Sequence, residues 1–268
     1  MPAPAMQIPM QIPMKFYTPI HVQRQKGMML VELLVAVLLS AFLVMGLVQI
    51  VSAARSSFRL QENEAEVQEN GRHAIATLGV LIRQAGFSPQ PWNESFQSPA
   101  LTPDTRDRVS SESDRLALRS WSNLNCFDNR NPIKDESGEP AFFIREYVFD
   151  LNSRSDLTHT CRYGPTDAEF ITQVRRQGFI RNVKSFQALY GEDRNHDGNI
   201  DRWVRGGEWS DESQVLGVKL GLLLDSSEVV VEQAAQDFSV LDFQYRTRAD
   251  GRLYQLFEFT ATIKGRSG

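Results

Sequence analysis

The chain has 268 residues, 41% hydrophobic and 23% charged, with a formal net charge of −4; this ordinary globular balance excludes a wholly disordered or collagen-like protein. Its length suits one sizeable domain plus an appendage. With no broad basic field to hold a phosphate backbone, nucleic acid is not an expected partner.

Positions 1–27 contain His21, Arg24 and Lys26 and no acidic residue. Met28 to Ile50 then reads MMLVELLVAVLLSAFLVMGLVQI, in which the only charge is Glu32, and the next basic residue is Arg55. At about 1.5 Å per residue a helix of this length spans the roughly 30 Å hydrocarbon core of a bilayer. The basic flank keeps the N-terminus cytoplasmic and sends the rest across. A secretory signal peptide needs a shorter apolar run, and only Ser52-Ala53-Ala54 imitates its cleavage site. A plain single-pass anchor explains the length and the charge bias but gives Glu32 no purpose. A carboxylate inside an apolar span costs up to about 2.5–3.5 kcal/mol at mid-membrane, and less toward the end. A cut between Gly27 and Met28 supplies the reason, because it leaves an α-ammonium four residues before Glu32. That amine can pair with Glu32 of a neighbouring subunit, which neutralises two costly charges and fixes the axial stagger between neighbours.

Lys26-Gly27-Met28-Met29-Leu30-Val31-Glu32-Leu33-Leu34 resembles the prepilin cleavage and methylation motif, with Gly before the scissile bond and Glu fifth after it. Met28 stands where the family usually has an aromatic residue. The 27-residue leader is long for the family, and a start at Met14 gives the more typical MKFYTPIHVQRQKG.

From Arg55 to Phe87 the pattern stays helical. RLQENEAEVQENGRH is polar nearly all round; Ala74, Ile75, Leu78, Leu81, Ile82 and Ala85 then form an apolar stripe that should lie on a globular domain, with Gly86 and Pro89 as stop signals. Gly71 reads as a weak point or bend in this helix. Val67-Gln68-Glu69-Asn70-Gly71-Arg72 and Leu81-Ile82-Arg83-Gln84-Ala85-Gly86-Phe87 are similar to the stretch that follows the anchor in PilW-type minor pilins of type IV pili. The C-terminal third is similar too: Tyr190-Gly191 before an Asp-rich loop, Val215 to Leu224, and a closing strand ending in Lys264-Gly265. Residues 88–180 are largely outside the resemblance.

Residues 88–113 are Ser- and Pro-rich and read as loop. Strand-like runs follow at 115–120, 141–149, 168–174, 179–190, 215–224, 238–246 and 253–263, so most of this part is expected to be antiparallel sheet, with Phe257 and Phe259 on one face of the last strand. Cys126 and Cys161 both fall in the exported part, where an even count favours a disulfide over two buried free thiols.

Asp193-Arg194-Asn195-His196-Asp197-Gly198-Asn199-Ile200-Asp201 follows a calcium-loop spacing, with Asp193, Asn195, Asp197 and Asp201 as side-chain ligands and the Asn199 backbone as a fifth. Position twelve is Val204 rather than a bidentate Glu, and the competing reading is an Asx-rich hairpin between the strand at 179–190 and one at 202–204. Trp203 and Trp209 read as packing residues of this region rather than an interaction patch. Asn93-Glu94-Ser95 is a three-residue sequon match of little weight. His21, His73, His159 and His196 stand apart in sequence, and no phosphate loop, GxSxG or HExxH occurs, so no catalytic site is expected.

The expected fold is α+β. A leader (1–27) precedes a long helix with a transmembrane half (28–54) and an outer, amphipathic half (55–87), which packs on a β-rich periplasmic head domain (88–268). The resemblance implies a non-enzymatic minor pilin, single-pass in the inner membrane and then part of the pilus fibre. Its implied partners are a prepilin peptidase, other minor and major pilins, the assembly platform and a tip adhesin. The alternatives are a minor pseudopilin of a type II secretion system and a membrane-tethered periplasmic calcium-binding domain.

Overall fold

The computed structural model describes residues 29–108, 113–230 and 234–263. Gly27, Met28 and the Lys264-Gly265 pair lie outside these residues. One helix, α1 (Leu30–Gln84), precedes ten strands, and the chain divides into two compact units, one up to Ser52 and one from Ala53.

In the first unit α1 is apolar on every side. Its most apolar 18-residue window has a mean hydropathy of 2.7 and none of it is buried. Large side chains from Met29 to Val51 are 41–77% exposed. A helix that is apolar all round and unburied by its own chain matches a lipid solvent rather than water.

In the second unit α1 buries one stripe, made of Asn63, Val67, Gly71, Ala74, Leu78, Gly79 and Ile82. Steps of three and four residues place these positions on one face. The stripe thus starts at Asn63, eleven residues before the Ala74 at which the apolar pattern begins. Asn63 is tolerated there because its Nδ2 donates to the Arg59 carbonyl (2.9 Å) and its Oδ1 accepts from the Glu228 amide (3.3 Å). Past the last turn, Gly86 takes a left-handed φ of 74° and donates its N–H to the Arg119 carbonyl at 2.7 Å. The helix therefore stops where glycine was expected to stop it.

The strands β1 (Leu116–Ser122), β2 (Phe143–Leu151), β3 (Leu157–Gly164) and β4 (Ile171–Ile180) form one antiparallel sheet in chain order. A second sheet has the order β10-β7-β5-β6, from β5 (Val183–Glu192), β6 (Arg202–Val204), β7 (Val215–Asp225) and β10 (Tyr254–Thr262). β8 (Asp237–Val240) and β9 (Phe243–Arg246) make a separate hairpin. Three strand expectations shift. β3 was not foreseen, the run at 168–174 is displaced to 171–180, and 238–246 breaks in two at Leu241, which turns with φ 55°.

Alternation along each strand sorts side chains to two faces. Leu116, Leu118 and Phe149 of the first sheet join Phe186, Tyr190, Leu220 and Leu222 of the second and Val67, Leu78 and Ile82 of α1 in one buried cluster. Each such side chain contributes about 1.5–3 kcal/mol of burial. Phe257 and Phe259 share a face, as their alternation predicts, and pack against this cluster. The other face of the second sheet is met by the β8–β9 hairpin, whose Val240 and Leu241 side chains crowd Gly221.

Gly71 is a notch for Phe257. A Cβ built there falls well inside van der Waals contact with three carbons at the tip of the ring. Gly71→Ala should therefore lower stability by about 1–3 kcal/mol through overpacking, although alanine by itself favours helix by up to about 1 kcal/mol. Adding Phe257→Leu should restore part of the loss. Thermal unfolding of the full chain in non-ionic detergent measures both, and an unchanged midpoint for Gly71→Ala contradicts the notch.

Candidate functional site

The residues singled out by sequence do not converge on one centre. Glu32 sits in the first turn of α1 and is exposed. A carboxylate in the first turn is favoured by the unsatisfied amides of the helix start. None of the ion pairs among the described residues includes Glu32, so nothing in the chain's own described fold neutralises it. In an apolar solvent that charge needs a counter-charge from elsewhere.

Cys126 and Cys161 form a disulfide. It ties the loop after β1 to β3, and the Cys126 amide donates to Gln173 Oε1 at 2.9 Å, so the same loop is also held by β4. Nearby, buried Arg145 donates to the Asn125 carbonyl (3.2 Å) and to Asp128 (2.8 Å).

The Asp193–Asp201 turn joins β5 to β6, where Tyr190 pairs with Val204. Its base is clamped by the Glu192–Arg202 ion pair at 2.7 Å. Asp193 is buried and accepts three backbone N–H groups: from His196 (2.7 Å) and Asp197 (3.3 Å) at Oδ1, and from Gly198 (2.9 Å) at Oδ2. Asn195 accepts from the Asp197 amide, Asp197 from the Asn199 amide and Asp201 from the Arg194 amide, at 3.0, 2.8 and 2.7 Å. The Asn199 bond comes first among the causes that hold the Asp197 carboxyl below its ordinary range. His196 and Gly198 take left-handed φ values of 62° and 84°, which let the chain wrap around Asp193. The spacing that predicts calcium and the amide network that folds the turn use the same oxygens. Among the described residues no three His, Cys, Asp or Glu side chains converge as a metal site. Trp209 lies edge-on to Tyr190 at 5.1 Å, and Lys219 sits 4.6 Å over the Trp203 ring, so both tryptophans pack locally.

The charge cluster that sequence reading missed lies on the outer face of the first sheet. Register places Arg119, Glu146 and Arg162 side by side on β1, β2 and β3. The Glu146 side chain is fully buried between the two guanidinium groups, 2.5 Å from each. The Phe170 ring covers both arginines, at 5.4 and 5.1 Å. Scattered positions on three strands leave no sequence pattern, and only the pairing assembles them.

A second buried acid bridges the segment before β1 to β5. Asp114 accepts from the Ala188 amide (2.8 Å) and the Arg108 amide (3.2 Å). Burial, and secondarily its neighbour Asp107, push its carboxyl up to about 7 against two amide bonds that lower it.

Residues 154–264 match the family model described as Type IV Pilus-assembly protein W. The match runs from just before β3 to the end of β10, so it takes in the C-terminal segments that carry the resemblance and extends it back over β3 and β4. It does not reach the two α1 segments. No curated protein matches the chain.

Asp193→Ala should cost about 2–4 kcal/mol in chelator-containing buffer, since three amides lose a charged acceptor. Chemical denaturation reads this, and a loss seen only when calcium is present would make the cation, not the amides, the partner that matters. Asp114 binds its proton more tightly folded than unfolded, so its contribution to stability is full below pH 4 and is lost as pH rises through about 7. Relative to Asp114→Asn, the wild type should lose up to about 1.4 kcal/mol per pH unit across that window. Parallel stability curves for the two proteins between pH 4 and 8 would overturn the assignment.

Proposed function

We propose that this chain, PilW-type over residues 154–264, is a minor pilin: an assembly subunit of a type IV pilus rather than an enzyme. The observation that carries the reading is the pairing of that stretch with an N-terminal helix that is long and apolar enough to cross a membrane and bears one unneutralised carboxylate at its start. The family match and the helix together fit a membrane-anchored pilus protein.

In this reading a prepilin peptidase cuts between Gly27 and Met28 on the cytoplasmic side of the inner membrane, and the head is periplasmic. The new α-ammonium and Glu32 then pair between adjacent subunits. Within hydrocarbon each group alone is expensive, so the helix is stable only at the stagger that joins them. The electrostatics thus sets the register of assembly, and lateral packing of the apolar helix does the rest. The subunit joins other minor pilins in a small initiating or tip complex and hands over to major pilins on the assembly platform.

The test is mass spectrometry of the N-terminus of membrane-extracted protein, from cells with and without the peptidase. The expected product begins at N-methylated Met28 and appears only with the peptidase. An intact leader, or cleavage near Ala54, overturns the proposal. Glu32→Ala should leave cleavage intact and reduce incorporation into pili at least tenfold by immunoblot of sheared fibres. Incorporation at the wild-type level would remove Glu32 from assembly. Co-purification with secretion components instead of pilus components would reassign the subunit to a type II secretion machine.

A further inference from the structure

The outer face of the first sheet holds a cleft of about 270 Å³, walled by β2, β3 and β4 and by the segment before β1. Arg115, Arg162, Arg175 and Arg176 line it together with Thr160 and Thr172. Two carboxylates, Asp104 and Asp150, lie at its wall. Both are already engaged. Asp104 is held by Arg106, Arg162 and Arg115 at 3.2, 3.4 and 3.7 Å, and Asp150 takes a two-pronged contact from Arg108 at 3.0 and 3.2 Å. Arg162 is also committed to buried Glu146. Among the described residues no carboxylate lies within ion-pair distance of Arg175 or Arg176, and both are exposed.

The backbone arranges this excess of positive charge. In a regular strand Arg175 and Arg176 would point to opposite faces. Here β3 and β4 slip register: His159 pairs with Gln177 but Cys161 pairs with Val174, so β4 carries one extra residue opposite Thr160. Arg176 absorbs the bulge with a left-handed φ of 46°, and its N–H donates to Thr160 Oγ1 at 3.1 Å. A bulge of this kind re-aims a side chain, and both arginines line the same cleft. A left-handed non-glycine residue is strained, and strain of this sort concentrates where a chain binds something. The Thr160 hydroxyl spends a lone pair on the bulge amide and keeps its own proton to donate.

We propose that this cleft binds a small oxyanion ligand, a phosphate or carboxylate group on a body no larger than a monosaccharide. The Arg175 and Arg176 guanidinium groups supply planar, two-pronged donors that match either oxyanion. Thr160 and Thr172 supply neutral donors beside them. The volume sits at the lower edge of what small-molecule sites enclose, which limits the body behind the charge.

The test uses the full chain in non-ionic detergent micelles, with inorganic phosphate and glucuronate as probes and chloride balancing the ionic strength. At least one probe should raise the unfolding midpoint saturably. Arg175→Gln/Arg176→Gln should weaken that effect at least tenfold, whereas Arg181→Gln, at an exposed arginine outside the cleft, should leave it unchanged. A second measurement needs no variant: phenylglyoxal labelling of the wild type, followed by peptide mass spectrometry, should be slowed at Arg175 and Arg176 by the effective probe but not at Arg181. Glucuronate acting alone marks a carboxylate ligand, and phosphate acting alone a phosphate ligand; either supports the site. No saturable shift with either probe, an equal shift in the double variant, or uniform labelling rates overturns it.

Discussion

The contact on which the second unit depends is the seat of the outer half of α1 on the inner face of the second sheet, with the Phe257 ring filling the space above Gly71. A helix can approach a sheet this closely only where a side chain is missing. Gly71 gives up helix propensity for that reason, and an aromatic ring recovers more by burial than a methyl group could. Gly79 repeats the arrangement eight residues on, with Phe259 at ordinary contact distance from the space above it. The two glycines face the two aromatic residues in the same order, so the register of helix against strand is set by shape. The core formed by both sheets follows from this seat, because Leu78 and Ile82 on the same stripe belong to the cluster that Leu116, Phe149 and Phe186 complete.

Once one face of the first sheet is committed to that core, its other face is free to carry charge. Glu146 is buried there only because Arg119 and Arg162 flank it in register and Phe170 shields both. Removing one arginine would leave Glu146 with half of its counter-charge, and removing both would leave a buried charge without compensation, a loss far larger than an exposed pair would give. The cluster thus fixes β1, β2 and β3 relative to one another on the side the apolar core does not touch. The disulfide adds a tie from the opposite face, since Cys161 directly precedes Arg162 on β3 and alternation turns it the other way.

What the sequence made legible follows from which interactions leave a local pattern. Hydropathy and a lone carboxylate define the N-terminal helix, and clean alternation defines β7 and β10. The two cysteines admit a single pairing. β3 was hidden although LTHTCRYG alternates, with Leu157, Cys161 and Tyr163 on one face and Thr158, Thr160 and Arg162 on the other: His159 interrupts the apolar face, and the threonines and arginine take their role from β2 and β4 rather than from their neighbours in sequence. β4 was displaced because the bulge at Arg176 breaks the period-two pattern midway. The helical stripe was truncated because Asn63 and Gly71 do not read as buried residues, and what buries them is a distant amide and a distant ring. At the Asp-rich turn the oxygen spacing was visible, but the direction in which those oxygens point was not. The arginine cleft was invisible for the same reason as β3, since it exists only after three strands and a register slip bring it together.

The position of that cleft can be weighed against a plainer account of its arginines. β4 is an edge strand of its sheet, and exposed cations and bulges on edges discourage unwanted pairing with another chain. Edge protection explains why Arg175, Arg176 and a bulge occur on β4 at all. It does not need the two side chains on the same face, and an unbulged strand with one arginine on each face would guard the edge equally well. The bulge instead gathers both onto the face where Arg115 and Arg162 already stand paired with Asp104, while Asp150 is satisfied by Arg108. This face belongs to the second unit and draws no residue from the apolar run of α1. The concentration of uncompensated positive charge there is what edge protection leaves over, and an anionic ligand is what would compensate it.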